Sequence, residues 1–397
     1  MDVEAFMPQK LRDFPVWPFY NLGLKIREVR GKLKQPPIDL GQGEPDFDTP
    51  QHIKDAMIEA LRQGYTGYSM NPGIAELREA IAEKLERDNG IDVKPSQVIV
   101  TFGASEAILL TMLGLLDPGD EVVITDPSYV SFGPIIEFCG GRVLPVPLKE
   151  EENYQLDISA LESMITPKTK IIFLNTPNNP TGTVLTKDSL DQIAEIAKRR
   201  NLLVVTDEVY EKFLYEGARH YSIASFPGMA ERTITINGFS KAYAMTGWRA
   251  GYMAGPEEII DRLIRIHAFG FVCINTAVQK ACVAALRGPQ GCVREMLAEY
   301  TARREVIVDR LSRMPGVKVQ KPRGAFYVFP NVEAYNMPSW DLSFHIIDHA
   351  GVITTPGAPF GATGEGHLRI SYAASMENIV EGMNRIEGVL EDPLSKT

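Results

Sequence analysis

The stretch TKIIFLNTPNNPTGTVLTKDSLDQIAEIAKRRNLLVVTDEVY, residues 169–210, decides the fold class. It holds two short apolar runs, IIFL and LLVV, and an amphipathic helical pattern over residues 186–201 stands between them. Nearly all-apolar strands that alternate with helices are typical of a parallel sheet covered on both faces. In such sheets, ligands bind at the carboxyl ends of the strands. The polar residues after each run are therefore candidates for a functional site.

The alternation of strand and helix patterns continues on both sides of this stretch. Seven segments have the pattern of strands: 97–103, 120–127, 142–148, 169–177, 202–210, 233–240 and 248–255. Helical patterns separate several of them. We therefore predict an α/β fold whose large domain, residues 48–288, is built on a mainly parallel seven-stranded sheet.

The pattern changes after residue 288. A long helical pattern followed by shorter strands predicts a smaller α+β domain over residues 289–397. The first forty residues are rich in proline and are predicted to be irregular. Residues 1–47 are assigned to the smaller domain, because no partner for them stands nearby in the sequence. The aromatic residues of segment 14–23 could close over a substrate.

The composition excludes several classes of protein. The chain has 397 residues, 44% of them hydrophobic and 23% charged, which is ordinary for a globular enzyme. A net charge of −10 argues against nucleic acid and anionic membranes as partners. No apolar run is long enough to span a membrane and no signal peptide is evident, so we expect a cytoplasmic protein. No C-x-x-C pair occurs, which predicts free and mostly buried thiols and no metal site.

Small and polar residues follow two of the predicted strands. Gly103, Ala104 and Ser105 stand between a strand and a helix, where backbone N–H groups can bind phosphate. A tight turn is the commoner reason for such residues. Asp207 ends an apolar strand, and a carboxylate there either caps a turn or meets a partner in a pocket. Tyr210 could face the same pocket.

Two cations stand in unusual surroundings in INGFSKAYAMTGWRAGY, residues 236–252. The neighbours of Lys241 are small or apolar, and a partly buried lysine has a lowered pKa and a nucleophilic neutral amine. Arg249 would lower that pKa further and could hold a phosphate, although both could be surface charges. Arg369 lies on a predicted strand, and Asn179 lies in the turn-rich NTPNNPTG. Each is either a functional group or an ordinary surface or loop residue.

Together these segments resemble a known family. GEPDFDTP, NTPNNPTG, DEVY, FSKAYAMTGWRAGY and GEGHLRISYA stand in the order and spacing of the class I/II aminotransferases, which are pyridoxal-phosphate enzymes of fold type I. Each motif is modest alone, and the set is specific. The resemblance covers essentially the whole chain and implies the same fold, a pyridoxal 5′-phosphate cofactor and transaminase activity.

The resemblance implies catalytic and substrate-binding roles for matching residues. Lys241 is similar to the lysine that binds the cofactor as an aldimine and then moves a proton between Cα and C4′. Asp207 is similar to the acid that keeps the pyridine nitrogen protonated. Asn179 and Tyr210 match the donors to the phenolate oxygen of the cofactor. Arg369 matches the group that holds the substrate α-carboxylate, with Gly43 and Asn179 beside it.

Further matches concern the cofactor and the assembly. The residues that resemble the phosphate site are Gly103, Ala104, Ser105, Ser240 and Arg249. Tyr129 matches an aromatic residue that stacks on the cofactor ring. Tyr68 is similar to a tyrosine that reaches the phosphate of the neighbouring subunit, which implies a homodimer with shared sites.

The implied reaction moves an amino group from an L-amino acid to 2-oxoglutarate by a ping-pong mechanism. In aspartate-preferring relatives of this subgroup, a lysine often stands at the position of Ser105. We therefore expect aspartate to be accepted but not exclusive, with alanine, aromatic or broad specificity. A C–S β-lyase or another lyase on the same fold is the alternative. A non-catalytic binding protein is a third, although the full set of functional residues disfavours it.

Overall fold

A seven-stranded sheet forms the centre of the structure, a computed structural model that describes residues 4–33 and 35–394. Its strands in chain order are β2 (Val98–Thr101), β3 (Glu121–Asp126), β4 (Arg142–Pro147), β5 (Thr169–Asn175), β6 (Leu203–Asp207), β7 (Thr233–Gly238) and β8 (Gly251–Ala254). The short strand β1 (Ile38–Asp39) precedes them in the chain and is not part of this sheet. The strand order is β2-β8-β7-β6-β5-β3-β4, and β8 runs antiparallel to both of its neighbours. The other pairs are parallel, which confirms the predicted sheet.

The remaining elements are helices and short strands. The helices in chain order are α1 (Gln9–Arg12), α2 (Pro18–Val29), α3 (Gln51–Arg62), α4 (Ala75–Lys84), α5 (Gly103–Leu115), α6 (Phe132–Phe138), α7 (Ile158–Met164), α8 (Lys187–Arg200), α9 (Glu257–Gly270), α10 (Thr276–Arg287), α11 (Gly291–Arg313), α12 (Ser339–Ala350) and α13 (Met376–Leu394). The short strands are β9 (Tyr327–Val328), β10 (Val352–Ile353), β11 (Thr355–Pro356) and β12 (Leu368–Ser371). No helix within the described ranges is long and apolar enough to cross a membrane.

The central strand β5 is apolar on both faces because helices cover both faces. Ile172 and Leu174 of β5 pack in one core with α8, whereas Ile171 and Phe173 pack in another core with α5. Successive side chains of a strand point to opposite faces, so a doubly covered strand has no polar face. This packing places the carboxyl ends of β5, β6 and β7 at one edge of the sheet.

A separate core lies among the carboxy-terminal elements. It includes Ile38 and Leu40 near β1, together with residues of α11, α12 and α13. β1 pairs in parallel with β10, so the N-terminal segment joins the carboxy-terminal elements. The domain boundaries at 47/48 and 288/289 remain a prediction, and residues 1–3, 34 and 395–397 of the smaller predicted domain lie outside the described residues.

Several local predictions were wrong. The first forty residues are not irregular throughout, because Pro18–Val29 forms α2 with proline at its first turn. Its buried Leu22 packs on Ile353, a contact that lies far away in sequence. Residues 317–322, VKVQKP, have the pattern of one of the shorter strands expected in the smaller domain, but they form only an isolated bridge at Lys318. Of the four cysteines, which are all free, only Cys282 is buried.

A buried ionic network lies behind the end of β6. Its members are Lys84, Asn89, Glu208, Glu211, His220 and Ser222. Ligand atoms of Glu208, Glu211 and His220 lie within 4.8 Å of one another, but protein donors already occupy both carboxylates. Lys84 pairs with Glu211, and Ser222 donates to Glu208 at 2.5 Å. Burial opposes ionisation of Glu211, yet the charge of Lys84 and its other cationic neighbours bring its pKa down to about 2.

We expect Glu211→Gln to lower the free energy of unfolding by roughly 3–5 kcal/mol near neutral pH, because Lys84 is left buried and unpaired. The pKa of Glu211 in the folded chain lies below its ordinary value, so its stabilisation is present above that value and is lost as pH falls towards about 2. Denaturant unfolding should therefore show the deficit shrinking by about 2 kcal/mol between roughly pH 7 and pH 3. A constant deficit would contradict this. The control is Asp191→Asn, which removes an exposed pair with Lys187.

Candidate active site

A cavity of about 520 Å³ lies at the carboxyl ends of the central strands. Most of the residues predicted to be functional line it: Gly43, Ala104, Ser105, Tyr129, Asn179, Asp207, Tyr210, Ser240, Lys241, Arg249 and Arg369. Parallel strands bring segments that are far apart in sequence to the same edge, so this convergence follows from the sheet. Tyr68 is outside the cavity and is 89% exposed.

Arg369 faces the cavity from β12 and is only 1% exposed. Its Nη1 donates to Asn179 Oδ1 at 3.0 Å, and its Nη2 donates to the Gly41 carbonyl at 2.5 Å and to Thr355 Oγ1 at 3.3 Å. These partners are neutral, and Nε has no partner among the described residues. A buried cation is costly without a counter-charge, so the site is built to receive an anion.

Three aromatic rings surround this guanidinium. Its Cζ lies 4.5 Å from the ring centroid of Tyr327, 5.0 Å from that of Phe360 and 5.5 Å from that of Phe19. The rings exclude water and favour a cation over their faces. A carboxylate that enters this enclosure forms hydrogen bonds that are strengthened by charge and by the low polarity of the surroundings.

Lys241 follows β7 and reaches into the cavity. Its Nζ donates to the Gly43 carbonyl at 2.6 Å. Burial lowers the pKa of Lys241 to about 8, and the positive charge of Arg369 adds to this, while Glu44 and Asp207 oppose it. The sequence shows no acid beside Lys241, but the fold brings Glu44 and Asp207 near it. The lowered pKa makes a neutral, nucleophilic amine accessible near physiological pH.

Asp207 ends β6 and is 5% exposed. Its Oδ1 accepts the backbone N–H of Val209 at 3.2 Å. Burial raises the pKa of Asp207 to about 7; the negative charge of Glu208 adds to this rise, and the Val209 N–H and Lys241 oppose it. A carboxyl held in this state is suited to share a proton with a basic ligand atom.

The tyrosines of the site are neutral hydrogen-bonding groups. The hydroxyls of Tyr210 and Tyr327 lie 2.8 Å apart. Burial raises the pKa of Tyr210 well above its ordinary value and that of Tyr327 to about 12, so both phenols keep their protons near neutral pH. Burial also raises the pKa of Tyr129.

The part of the cavity beside the start of α5 is suited to a polyanionic group. Gly103 begins α5 with φ +77°, and a side chain there would lie 2.7 Å from Arg249 Nη2. Arg249 is exposed, but it lines the cavity and is anchored through the carbonyls of Thr246 and Phe102. Ser240 also lines the cavity. Free N–H groups of the first turn of α5 and a guanidinium together form an anion site.

Some residues of the site were missed by sequence reasoning. They are Gly41, Tyr327, Thr355 and Phe360 around Arg369, and Thr246 and Asn175 elsewhere in the site. Asn175 donates to the Asp207 carbonyl at 3.0 Å and accepts the Asn179 N–H at 2.9 Å, so it joins two functional loops. These residues lie in ordinary apolar or turn-rich patterns that give no local signal. Asn175 is the exception, because a polar residue at the carboxyl end of a predicted strand is a candidate for the site.

Comparison with known proteins agrees with this geometry. Residues 35–386 match the model of the family described as aminotransferase class I and II. The chain belongs to this family. It is 46% identical over 358 residues to the aromatic-amino-acid aminotransferase 2 of Thermococcus litoralis, covering 89% of this chain and 92% of that one. It is 45% identical over 371 residues to the aspartate aminotransferase of Pyrococcus abyssi, covering 93% and 95%.

A solved structure supports the same assignment. The aromatic aminotransferase from Pyrococcus horikoshii OT3 superposes with a TM-score of 0.88 at 45% identity, over 92% of this chain and 98% of that chain. The protein is therefore an aminotransferase of fold type I that depends on pyridoxal phosphate.

The residues of this aminotransferase fit the cofactor. The anion site at Gly103 and Arg249 suits its phosphate, and the amine of Lys241 suits its aldehyde. Asp207 has an oxygen without a hydrogen bond from the described residues, which suits a protonated ring nitrogen. The unpartnered Nε of the buried Arg369 suits a carboxylate.

We expect Gly43→Ala to destabilise the protein by about 1–3 kcal/mol, because overpacking is costly in a closed site. The added Cβ would lie 2.2 Å from the Tyr327 hydroxyl oxygen and 3.2 Å from its Cζ. Tyr327→Phe removes that hydroxyl and costs about 1 kcal/mol by loss of its hydrogen bond. The double variant should lose less stability than the sum of the two single losses, and its melting temperature should be correspondingly higher than additivity predicts. Strict additivity would show that the two groups do not compete for space.

Proposed function

We propose that this aminotransferase moves an amino group from a broad set of L-amino acids, including aromatic ones, to 2-oxoglutarate by a ping-pong mechanism. The observation that carries the proposal is the single cavity that holds a lysine with a lowered pKa, a buried carboxyl and a buried arginine with neutral partners. The names of the relatives support aspartate and aromatic amino acids as donors, and this breadth agrees with Ser105 in place of a lysine.

Binding and orientation of the substrate fall to Arg369 and Asn179. The guanidinium receives the α-carboxylate, and its anchors at Asn179 and Gly41 fix its direction. The carboxylate and the reacting amine of the substrate are thereby held in one orientation. Part of the binding energy is used to position the Cα–H bond for proton transfer. Gly43 leaves room for Tyr327 beside this site.

Proton transfer falls to Lys241. When bound, pyridoxal phosphate supplies an aldehyde and a ring that accepts the electron pair of the Cα–H bond. Lys241, whose amine has a pKa of about 8 in the site without substrate, would be the base that takes the proton from Cα and returns it to C4′. Asp207 would hold the proton on the ring nitrogen.

The remaining residues hold the cofactor in place. Asn179 and Tyr210 would donate to its phenolate oxygen, and Tyr129 would lie against its ring. The phosphate would be bound by Gly103, Ala104, Ser105, Ser240 and Arg249. All of these residues except Gly103 line the cavity, and Gly103 lies beside Arg249 at the start of α5, so the roles rest on this placement and on the donor chemistry of each group.

We expect Lys241→Ala to lose the near-visible absorption of the covalently attached cofactor and to lose transamination by at least about a thousandfold. Borohydride reduction and peptide mass spectrometry should locate the cofactor on Lys241 in the wild type. The matched control is Lys187→Ala, an exposed lysine of α8 whose loss should change neither measurement. An unchanged absorption band in Lys241→Ala would exclude Lys241 as the anchor. Keto acid release without any acceptor would favour a lyase.

The exposed ring of Tyr68 supports a homodimer with shared sites, because an 89% exposed tyrosine has no role within its own subunit's cavity. We expect Tyr68→Ala to weaken cofactor binding by about tenfold through loss of a charge-assisted hydrogen bond to the phosphate. Mixed dimers of Tyr68→Ala and Lys241→Ala chains should regain one normal site. Equilibrium dialysis and activity of the mixture measure this, and no recovery in a proven mixed dimer would refute a shared site.

A further inference from the structure

One wall of the cavity is apolar and comes from the N-terminal segment. Its residues, on or beside α2 and β10, are Trp17, Phe19, Leu22, Ile26 and Ile353. Leu22 and Ile353 pack in one cluster, with Phe19 and Ile26 against it. The Phe19 ring also lies 5.5 Å from the Arg369 guanidinium, so the wall begins beside the carboxylate site. An amino acid held by Arg369 has this wall within reach of its side chain.

Asp39 places a carboxylate at the edge of the apolar wall. It stands opposite Ile353 in the pairing of β1 with β10, and it lines the cavity with accessible surface. Its Oδ1 accepts the backbone N–H groups of Gly41 at 2.8 Å and of Gln42 at 3.1 Å. Within the described ranges, Oδ2 accepts no hydrogen bond.

Burial raises the pKa of Asp39, because these two N–H groups and the charge of Arg369 offset only part of the loss of water. The cavity has two other acids. Glu44 accepts from Gln42 Nε2 at 2.6 Å through one oxygen and from Thr246 Oγ1 through the other, and the free oxygen of Asp207 suits the ring nitrogen of the cofactor. Asp39 is therefore the acid with an oxygen left for a substrate side chain.

We propose that Asp39 is a specificity-determining residue, which selects amino donors whose apolar side chain ends in a hydrogen-bond donor such as a phenol hydroxyl. The proposal rests on the proposed function of the same cavity. The apolar wall takes the body of the side chain, and Oδ2 accepts the terminal O–H or N–H. A dicarboxylic side chain meets like charge at this position, so Asp39 also weakens binding of glutamate and 2-oxoglutarate.

The test compares tyrosine with phenylalanine in the holoenzyme, since the two differ only in the hydroxyl. Asp39→Asn keeps an acceptor for Gly41 and Gln42 but replaces the free oxygen with a donor. We expect the ratio of kcat/KM for tyrosine to that for phenylalanine to fall about tenfold or more. We also expect kcat/KM for 2-oxoglutarate in the second half-reaction to rise. The ratio cancels any common effect on Arg369.

A binding measurement keeps the two proposals separable. Calorimetry with 3-(4-hydroxyphenyl)propanoate and 3-phenylpropanoate needs no turnover, and the preference for the hydroxylated acid should fall by the same factor in Asp39→Asn. If Asp39→Asn weakened the binding of both acids equally, Asp39 would only stabilise the turn at Gly41 and Gln42, and the inference would be overturned. If no amino acid were turned over by the wild type, the proposed function would fail, while the calorimetric ratio would still decide on Asp39.

The controls address the turn and the charge. Asp39→Ala removes both oxygens and should weaken all substrates, because Gly41 then loses its hydrogen bond and its carbonyl anchors Arg369. Asp48→Asn removes a carboxylate of the same segment that is 80% exposed, and the tyrosine-to-phenylalanine ratio should not move. A shift of that ratio in Asp48→Asn as large as in Asp39→Asn would attribute the effect to net charge and overturn the inference.

Discussion

The burial of the Arg369 guanidinium constrains the whole active site. A cation that is 1% exposed and bonded to neutral oxygens is costly unless many groups hold it. Those groups come from distant parts of the chain: Gly41 from the N-terminal segment, Asn179 from the loop after β5 and Thr355 from β11. The arginine thus joins both ends of the chain to the sheet. It also leaves a site suited to an anion, because its hydrogen-bond partners are neutral.

The parallel sheet explains why so much of this site could be predicted from sequence. Asp207 and the loop that contains Asn179 follow short apolar strands, and the carboxyl ends of adjacent parallel strands must meet. Lys241 was identifiable because a lysine among small and apolar residues is unusual. Such signals can be read from the sequence alone, because each depends on one residue and its immediate neighbours.

The parts that sequence reasoning missed depend on contacts between distant segments. The proline-rich segment forms α2 because Leu22 packs on Ile353, which lies more than three hundred residues away in the sequence. Tyr327 lies in an ordinary apolar strand, and nothing local shows that its hydroxyl meets Tyr210. Asp39 is an unremarkable acid in sequence and becomes distinctive only when β1 pairs with β10. Tertiary placement, not residue type, gives these residues their chemistry.

The electrostatics of Lys241 and Arg369 link binding to proton transfer. After burial, the charge of Arg369 is the largest cause of the lowered pKa of Lys241. A carboxylate bound at Arg369 cancels part of that charge, so the pKa of the free amine rises when substrate is present. Without a bound carboxylate, the low pKa favours the neutral, nucleophilic form of the amine. With a carboxylate at Arg369, the same amine is a stronger base. One buried cation therefore sets the basicity of the lysine, and its hydrogen-bond partners are neutral, so they do not cancel its charge.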